Sequence, residues 1–514
     1  MKRIISFLFV IFLGIAPVLA KNTQSGWQND LRTLFLRNQS IIYTINIRTF
    51  NAKDTNKNEI IDEGEESGNF INAIENLDEL VRMGINTIHV LPITPVGKIK
   101  AFGTAGSLYA ITDFQSVNPQ LVSPKSSLSA NEQAKKFISE CHKRNIRVII
   151  DLPSCAAYDM FVEHPEYFVR DENQKAVVPL DWSDVRLFNS GTEDAPNEEL
   201  LNLHKKFIDF VVSIHADGIR ADVAGLKPAS FWKELIKYTR AKDSEFLFLA
   251  ESSRAWTTPV SKFALCVPSE KLLEAGFDGY LGSYFNLKNW KISKEFITNV
   301  NNDLKLFKKF KEPKSVIGAF ASHDELSPIL VNGENYALMI LWLNTTLPLN
   351  PYYVDGFATG DTYNYRWANK ASACSQTDDE YYFTHNGKLD IFNFSRRPHG
   401  DNYKLYEEFV LANKFKNYCL TELSNASFVP LKTTCPNVFA YARVCTNYSV
   451  IVFGNLDFDN AHDAVIKVPK LKSNSRVINV RVNHNIKNEY LNNKIKTKLD
   501  KGEIQVLVIK NLVF

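Results

Sequence analysis

The sequence has almost no surplus of either charge. Across 514 residues, 60 Lys and Arg face 57 Asp and Glu, for a formal charge of +3. The two signs are mixed along the chain without a basic block or stripe, which argues against a nucleic-acid partner. Cysteine is scarce and badly spaced for metal: Cys141, Cys155, Cys266, Cys374, Cys419, Cys435 and Cys445 form no CxxC pair and no Cys/His cluster, which argues against structural zinc. There is no internal repeat and no low-complexity linker. Beyond residue 20 no run of 18 apolar residues occurs, so no membrane span is expected in the mature chain. What remains is ordinary globular material, 45% hydrophobic, enough for a large core and at least one further domain. Aromatics stand at 12%, compatible with ring stacking on sugars but equally with core, so composition decides nothing there.

The N-terminus reads as an export signal. Lys2 and Arg3 precede an apolar run from Ile4 to Ile15, and Ala16-Pro17-Val18-Leu19-Ala20 supplies small residues for cleavage after Ala20. Residues 1–20 are therefore expected to be a signal peptide and the mature chain to be secreted or periplasmic. Its lack of a cysteine at the cleavage site argues against a lipid anchor. In an exported chain the odd cysteine count leaves at least one thiol free. Cys435 and Cys445 flank a run with hairpin character, Pro436 to Tyr441, and pairing or not pairing stay equally open.

From Ile41 onward short β-branched runs alternate with amphipathic stretches. Strands are predicted at Ile41–Ile47, Ile85–Leu91, Ile146–Leu152, Asp217–Val223, Phe246–Glu251, Asp278–Leu281 and Val316–Phe320. Helices are predicted over Phe70–Met83, Glu132–Arg144, Glu198–Ile214 and Ala229–Thr239. The alternation continues for about 370 residues, which suits an α/β fold of the (β/α)8 TIM barrel type better than a small doubly wound sheet. An insertion of about 154–196 follows the third strand. Past about Asn425 the pattern changes to short strands separated by polar turns, among them Val438–Val444, Ser449–Asn455 and Gln505–Ile509. The expected division is 21–424 for the barrel with its inserted subdomain and 425–514 for a C-terminal antiparallel β-sandwich.

Polar residues collect at the ends of the predicted strands, which in a barrel converge on one face. The third strand ends at Asp151, the fourth in Arg220-Ala221-Asp222, and the fifth in Ala250-Glu251. Ser322-His323-Asp324 follows the seventh. Arg220 and Asp222 are two apart, so both point to the same side. A single acidic residue after a strand is ordinarily a cap or turn residue. Three carboxylates with Arg and His on successive strand ends suit another chemistry. Cleaving a glycoside with retention needs one carboxylate to attack and one carboxylic acid to protonate the leaving oxygen, about 5 Å apart.

Ala216-Asp217-Gly218-Ile219-Arg220-Ala221-Asp222, Ala250-Glu251 and Phe320-Ala321-Ser322-His323-Asp324, with Ser107-Leu108-Tyr109 and Asp113-Phe114 upstream, resemble in order and spacing the motifs of the α-amylase superfamily of retaining glycoside hydrolases. Ala224-Gly225-Leu226-Lys227-Pro228 with Phe231-Trp232 resembles its bacterial maltodextrin-acting members. The resemblance covers nearly the whole mature chain. It implies Asp222 as nucleophile, Glu251 as general acid/base and Asp324 as the carboxylate that grips the distorted sugar. Arg220, His323 and Tyr109 become substrate-binding candidates. Arg220 is expected to keep Asp222 ionised, whereas Glu251 needs a raised pKa. Trp182, Trp256 and Tyr284 are candidates for lining a glucan groove, and Asp355 and Asp361 for shaping its donor end.

Two departures qualify the resemblance. Where the family follows its third-strand Asp with Asn and His four and five residues on, this chain has Cys155 and Ala156. The resemblance then implies loss of a calcium ligand and of a sugar contact, and leaves Asp151 a supporting role. Gly225 and Leu226 stand where many endo-acting members have a Lys-His pair, so the acceptor side is expected to differ. A separate ion signal lies earlier. Asp54, Asn56, Asn58, Ile60, Asp62 and Glu65 fall at positions 1, 3, 5, 7, 9 and 12 of an EF-hand-like loop, so Ca2+ is expected there, although Glu59 replaces the usual Gly. No organic cofactor is expected. The substrate expected is an α-1,4-linked glucan or maltodextrin. Hydrolysis and 4-α-glucanotransfer share one intermediate and both stay open, as does a catalytically weakened glucan-binding protein on the same fold.

Overall fold

The computed structural model of the chain describes residues 26–56, 61–101, 106–180, 182–362, 400–470, 475–481, 488–510 and 512. The leader, Asn58, Ile60 and Cys374 lie outside them.

Eight parallel strands close a barrel. In chain order the strands of the first part are β1 (Ile42–Ile45), β2 (Thr87–Val90), β3 (Arg147–Leu152), β4 (Cys155–Ala157), β5 (Val185–Leu187), β6 (Gly218–Ala221), β7 (Leu247–Ala250), β8 (Gly279–Tyr280), β9 (Ser315–Gly318) and β10 (Asn350–Val354). The barrel runs β1-β2-β3-β6-β7-β8-β9-β10 and back to β1. All six residues of β3 are buried, as expected for a strand covered on both faces. The helices between strands carry their own start signals. Helix Ala130–Lys143 opens with a capping box in which the Ser129 side chain accepts from Glu132 N–H and Glu132 reaches back to Ser129 N–H. Its buried positions, Ala134, Phe137, Ile138 and Cys141, recur at helical spacing and pack it onto the barrel. The stretch predicted as one helix over 70–83 is divided, with α-helices Phe70–Ala73 and Leu77–Arg82 joined by a 3-10 turn.

The inserted segment begins almost at once after β3. β4 pairs antiparallel with β5, so Cys155 and Ala156 are strand residues packed against Leu187 and Arg186 rather than loop residues facing the barrel mouth.

The barrel part ends with helices Tyr403–Tyr418 and Leu420–Asn425. The strands that follow are β11 (Ser427–Pro430), β12 (Val438–Val444), β13 (Tyr448–Asn455), β14 (His462–Lys467), β15 (Arg476–Asn479), β16 (Asn488–Leu491), β17 (Lys494–Leu499) and β18 (Ile504–Lys510). They form one antiparallel sheet, β11-β12-β13-β18-β15, and a second, β14-β17-β16. Alternation divides the work of β12. Val438, Ala440 and Ala442 face the sandwich core with Ile466, Ile495 and Leu499. Phe439 and Tyr441 face the barrel, with Phe439 4.7 Å from the Phe296 ring and Tyr441 Oη 2.6 Å from Thr346 Oγ1. Arg443, fully buried, donates to the carbonyls of Thr346, Leu423 and Ala426, which ties the two parts together.

Cys435 and Cys445 are free thiols. The run between them is not a hairpin but the single strand β12, whose seven residues hold the two ends about 20 Å apart, far beyond disulfide reach. No helix among the described residues is long and apolar enough to cross a membrane.

Candidate active site

The parallel register sets Asp151 beside Arg220 and Arg220 beside Leu249, so the ends of β3, β6 and β7 are level. Asp222 and Glu251 each stand one residue beyond their strand. Arg220 joins all three acids. Its Nη1 donates to both oxygens of Asp151 at 2.9 Å and to Asp222 Oδ1 at 3.0 Å, and its Nη2 lies 2.9 Å from Glu251 Oε2. Because Asp222 and Glu251 touch terminal nitrogens of one guanidinium, their contacting oxygens are confined to within about 8 Å, a range that contains the roughly 5 Å separation of retaining glycosidases. Asp324, past the end of β9, holds its Oδ1 3.5 Å from His323 Nε2 and is the most open of the acids, its side chain 31% exposed against 16% for Asp222 and 10% for Glu251.

Beneath these groups lies a polar floor. Asp151 has no exposure and accepts from Arg220, from Tyr109 Oη at 2.9 Å and from His89 Nε2 at 3.2 Å. The Tyr109 hydroxyl, having given its proton to Asp151, accepts from His323 Nε2 at 2.7 Å, and the two rings stack with 3° between planes. This order assigns the proton of His323 to Nε2. Tyr109 is itself 5% exposed. It therefore links Asp151 and His323. A cavity at this level is lined by His89, Arg220, Glu251, Ser322, His323 and Tyr352.

Two backbone features aim the carboxylates. Val223, next to Asp222, has φ 31° and ψ 56°, a left-handed conformation that costs a β-branched residue about 1–2 kcal/mol. In that conformation its N–H donates to Glu251 Oε2 at 2.7 Å. On the other side, Ser154 N–H donates to Asp222 Oδ2 at 3.2 Å while Ser154 Oγ donates to the Asp222 carbonyl. Both oxygens of Asp222 are thus fixed.

Burial raises the carboxyl pKa of Glu251 to about 8, with Arg220 opposing and the charges of Asp222 and Asp324 adding to the rise. Burial also raises Asp222, to about 6, again with Arg220 opposing. Arg220 acts in the expected direction on Asp222 but does not outweigh desolvation. The order is what matters: Asp222 loses its proton first and Glu251 keeps one near neutrality. Burial would raise Asp151 as well, but Arg220 and His89 overcome it and hold that carboxyl at about 2. Burial lowers His323 to about 4, so the ring is neutral near pH 7.

The six residues named from sequence as catalytic or substrate-binding therefore meet in one place. The ion loop does so only in part, since Asn58 and Ile60 are not described. Asn56 Nδ2 donates to Asp62 Oδ2 at 2.8 Å, and Glu65 closes the loop by accepting from Thr55 N–H at 2.7 Å and Asp62 N–H at 3.1 Å. Of the groove candidates, Trp256 is 38% exposed and lies 6.5 Å from the Phe285 ring, and Trp182 packs on the cluster around Cys155 and Leu226. Tyr284 is 1% exposed and belongs to the core, because it lies on a 3-10 turn that packs inward against Phe320. Asp355 is 5% exposed and accepts from Tyr43 Oη at 2.7 Å, and Asp361 is 5% exposed. Sequence reasoning did not single out His89, Tyr352, Ser154 or Val223. His89 had a signal, a lone polar ring in an otherwise apolar strand, whereas nothing in the residue types marked Val223.

A barrel whose mouth gathers two carboxylates of different acidity on one arginine, with a third beside them, has the groups that cleaving a glycoside with retention requires. The chain is 24% identical over 422 residues to an alpha-1,4-glucan:maltose-1-phosphate maltosyltransferase of Corynebacterium glutamicum, covering 78% of this chain and 57% of that one. It is 28% identical over 226 residues to the alpha-amylase MalA of Haloarcula japonica, covering 41% and 29%. Among solved structures it is similar to a noncanonic maltogenic alpha-amylase, AmyB, of Thermotoga neapolitana, with a TM-score of 0.69 at 20% identity over 93% of this chain and 100% of that one. No family model matches. These likenesses support a place for the chain in the α-amylase superfamily. It spans little more than half the length of the maltosyltransferase and under a third of MalA.

Proposed function

We propose that this protein is a retaining enzyme of α-1,4-glucans or maltodextrins that works through a covalent glycosyl intermediate on Asp222. The observation that carries the reading is the single guanidinium of Arg220 holding Asp222 and Glu251 together. In the first step Asp222 attacks the anomeric carbon while Glu251 protonates the leaving oxygen. Arg220 and Val223 N–H both occupy Glu251 Oε2, which leaves Oε1 to carry the proton to the substrate. In the second step Glu251, now a carboxylate, takes a proton from water or from a sugar hydroxyl, and that oxygen displaces Asp222. Asp324 and His323 bind ring hydroxyls, with bonds that strengthen as the sugar distorts. The choice between hydrolysis and transfer lies in which acceptor reaches the second step.

The reading is tested by incubating the protein with maltoheptaose beside the Asp222→Asn variant. Shorter sugars alone mean hydrolysis, and longer ones mean transfer. A wild-type protein that leaves maltoheptaose and other α-glucosides unchanged while binding them would favour a binding protein and defeat the proposal. We further propose that the chain is exported by its leader. Loop 54–65 holds Ca2+ in this reading, since Asp54, Asn56, Asp62 and Glu65 supply the hard oxygen donors calcium requires and Asn56 and Asp62 already face each other.

A further inference from the structure

Lys227 follows the short 3-10 turn Ala224–Leu226 just after Asp222, and it is fully buried. An ammonium taken out of water ordinarily finds a carboxylate, because desolvating it is costly. Lys227 instead makes one hydrogen bond among the described residues, from Nζ to the Ser154 carbonyl at 3.0 Å. Two rings flank it, with Nζ 5.5 Å from the centre of Phe188 and 5.7 Å from that of Trp232, and the Cys155 thiol and the Asp222 carboxylate also act on its charge. Trp232 is held in place by its own bond from Nε1 to the Ala224 carbonyl, 2.8 Å. The ammonium is thus caged with its one strong interaction aimed at the peptide corner between β3 and β4. That corner is the piece of backbone fastened to Asp222 at two points, through Ser154 N–H on Oδ2 and Ser154 Oγ on the carbonyl. Pro153 cannot donate a hydrogen bond, so Ser154 is the corner's only means of reaching the carboxylate.

We propose that Lys227 is a positioning residue for Asp222: by gripping the Ser154 carbonyl it keeps the Ser154 N–H on Asp222 Oδ2 and so fixes the plane of the attacking carboxylate. The inference rests on the reading of Asp222 as nucleophile. Without the grip the peptide that follows Ser154 can turn about the Ser154 backbone, which shifts the Ser154 N–H away from Oδ2 and leaves the Asp222 carboxylate held by Arg220 on Oδ1. Misplacement of an attacking atom by about 1 Å costs on the order of 100-fold in rate. Loss of a donor to the ionised carboxylate also makes that carboxylate harder to form.

The test compares wild type with Lys227→Met, which fills the cage without a donor, and Lys227→Arg, which restores one. With maltoheptaose, Lys227→Met is expected to lower kcat by about 100-fold with KM within about twofold, and to move the acidic limb of the kcat/KM profile upward. Lys227→Arg is expected to recover most of both. A Met variant that merely melts earlier, with the acidic limb where it was, would overturn the proposal. So would a crystal structure of that variant retaining the Ser154–Asp222 contact. If wild type converts no α-glucan, the functional reading fails by itself, and the variant structure still decides whether Lys227 holds the corner.

Discussion

The sharpest consequence of the site is a pH profile that should depend on the leaving group. Burial sets Asp222 at about 6 and Glu251 at about 8. Cleavage needs the first ionised and the second protonated, so kcat/KM should rise through about pH 6 and fall through about pH 8. With those positions about four-fifths of the molecules are competent at pH 7, and about a tenth at pH 5 or pH 9. Replacing Glu251 by Gln removes the proton donor while leaving an oxygen in place for Arg220 and Val223 N–H. On maltoheptaose, whose leaving oxygen needs the proton, the loss should be about 10²- to 10⁴-fold. On 4-nitrophenyl α-maltoside the departing phenolate needs no proton. Formation of the glycosyl-enzyme should then survive nearly intact and lose its alkaline limb. Burst kinetics by stopped flow would read that step directly. Equal losses on both substrates, or an alkaline limb that persists in Glu251→Gln, would show that Glu251 is not the acid.

The same raised pKa has a consequence for stability. Glu251 binds its proton more tightly in the folded chain than in the unfolded one, so its contribution is complete below the unfolded value of 4.5 and is lost as pH rises through about 8. The thermal midpoint should fall across that window in wild type, and by less in Glu251→Gln. Arg220→Lys keeps the charge but cannot reach Asp222 and Glu251 from one nitrogen. Losing two charge-assisted contacts should cost about 3–5 kcal/mol by chemical denaturation and abolish most activity, and a cost under 1 kcal/mol would contradict the bridging geometry. Val223→Gly relieves the left-handed strain, so the midpoint should hold or rise while kcat falls because the N–H on Glu251 is no longer rigidly aimed. Calcium chloride should raise the midpoint and EDTA reverse it, with Asp54→Ala insensitive to both; an unresponsive wild type removes the ion from loop 54–65.

Much of the barrel was legible because its strands are nearly unbroken apolar runs and its helices keep a 3.6-residue period, as in Arg147–Leu152 and Ala130–Lys143. The reactive carboxylates were legible for a related reason, since a barrel puts polar residues at strand ends and nowhere else along β6 and β7. The hairpin β16–β17 was not. Lys494–Leu499 alternates exposed Lys494, Lys496 and Lys498 with buried Ile495, Thr497 and Leu499, and its lysine face hid the strand among polar turns. Tyr284 could be taken for a groove residue because an aromatic in a loop after a barrel strand carries no mark of which way it faces. Lys227 entered the sequence reading only within the Ala224–Pro228 match, because nothing local in Leu226-Lys227-Pro228 reveals that Phe188 and Trp232 close over it.

The division of labour between Asp222 and Glu251 follows from how few positive charges the site contains. Among the described residues one cation, Arg220, forms ion pairs with the three buried acids Asp151, Asp222 and Glu251, the charge of Lys227 acts on Asp222 alone of the three, and burial lowers the pKa of the two histidines at the same level. If all three acids were ionised the cluster would carry an uncompensated negative charge away from water, so one of them must keep its proton. Asp151 cannot be that one, because it takes two bonds from Nη1 and further donors from Tyr109 and His89. Asp222 has two donors on separate oxygens, Arg220 on Oδ1 and Ser154 N–H on Oδ2. Glu251 takes the Val223 N–H and the Arg220 ion pair on Oε2, and among the described residues no hydrogen bond reaches Oε1, the natural seat for a proton. In the proposed mechanism the general acid is thus the carboxyl whose second oxygen is the less engaged, and a substitution that supplied a donor to Oε1 would remove that role without changing Glu251 itself.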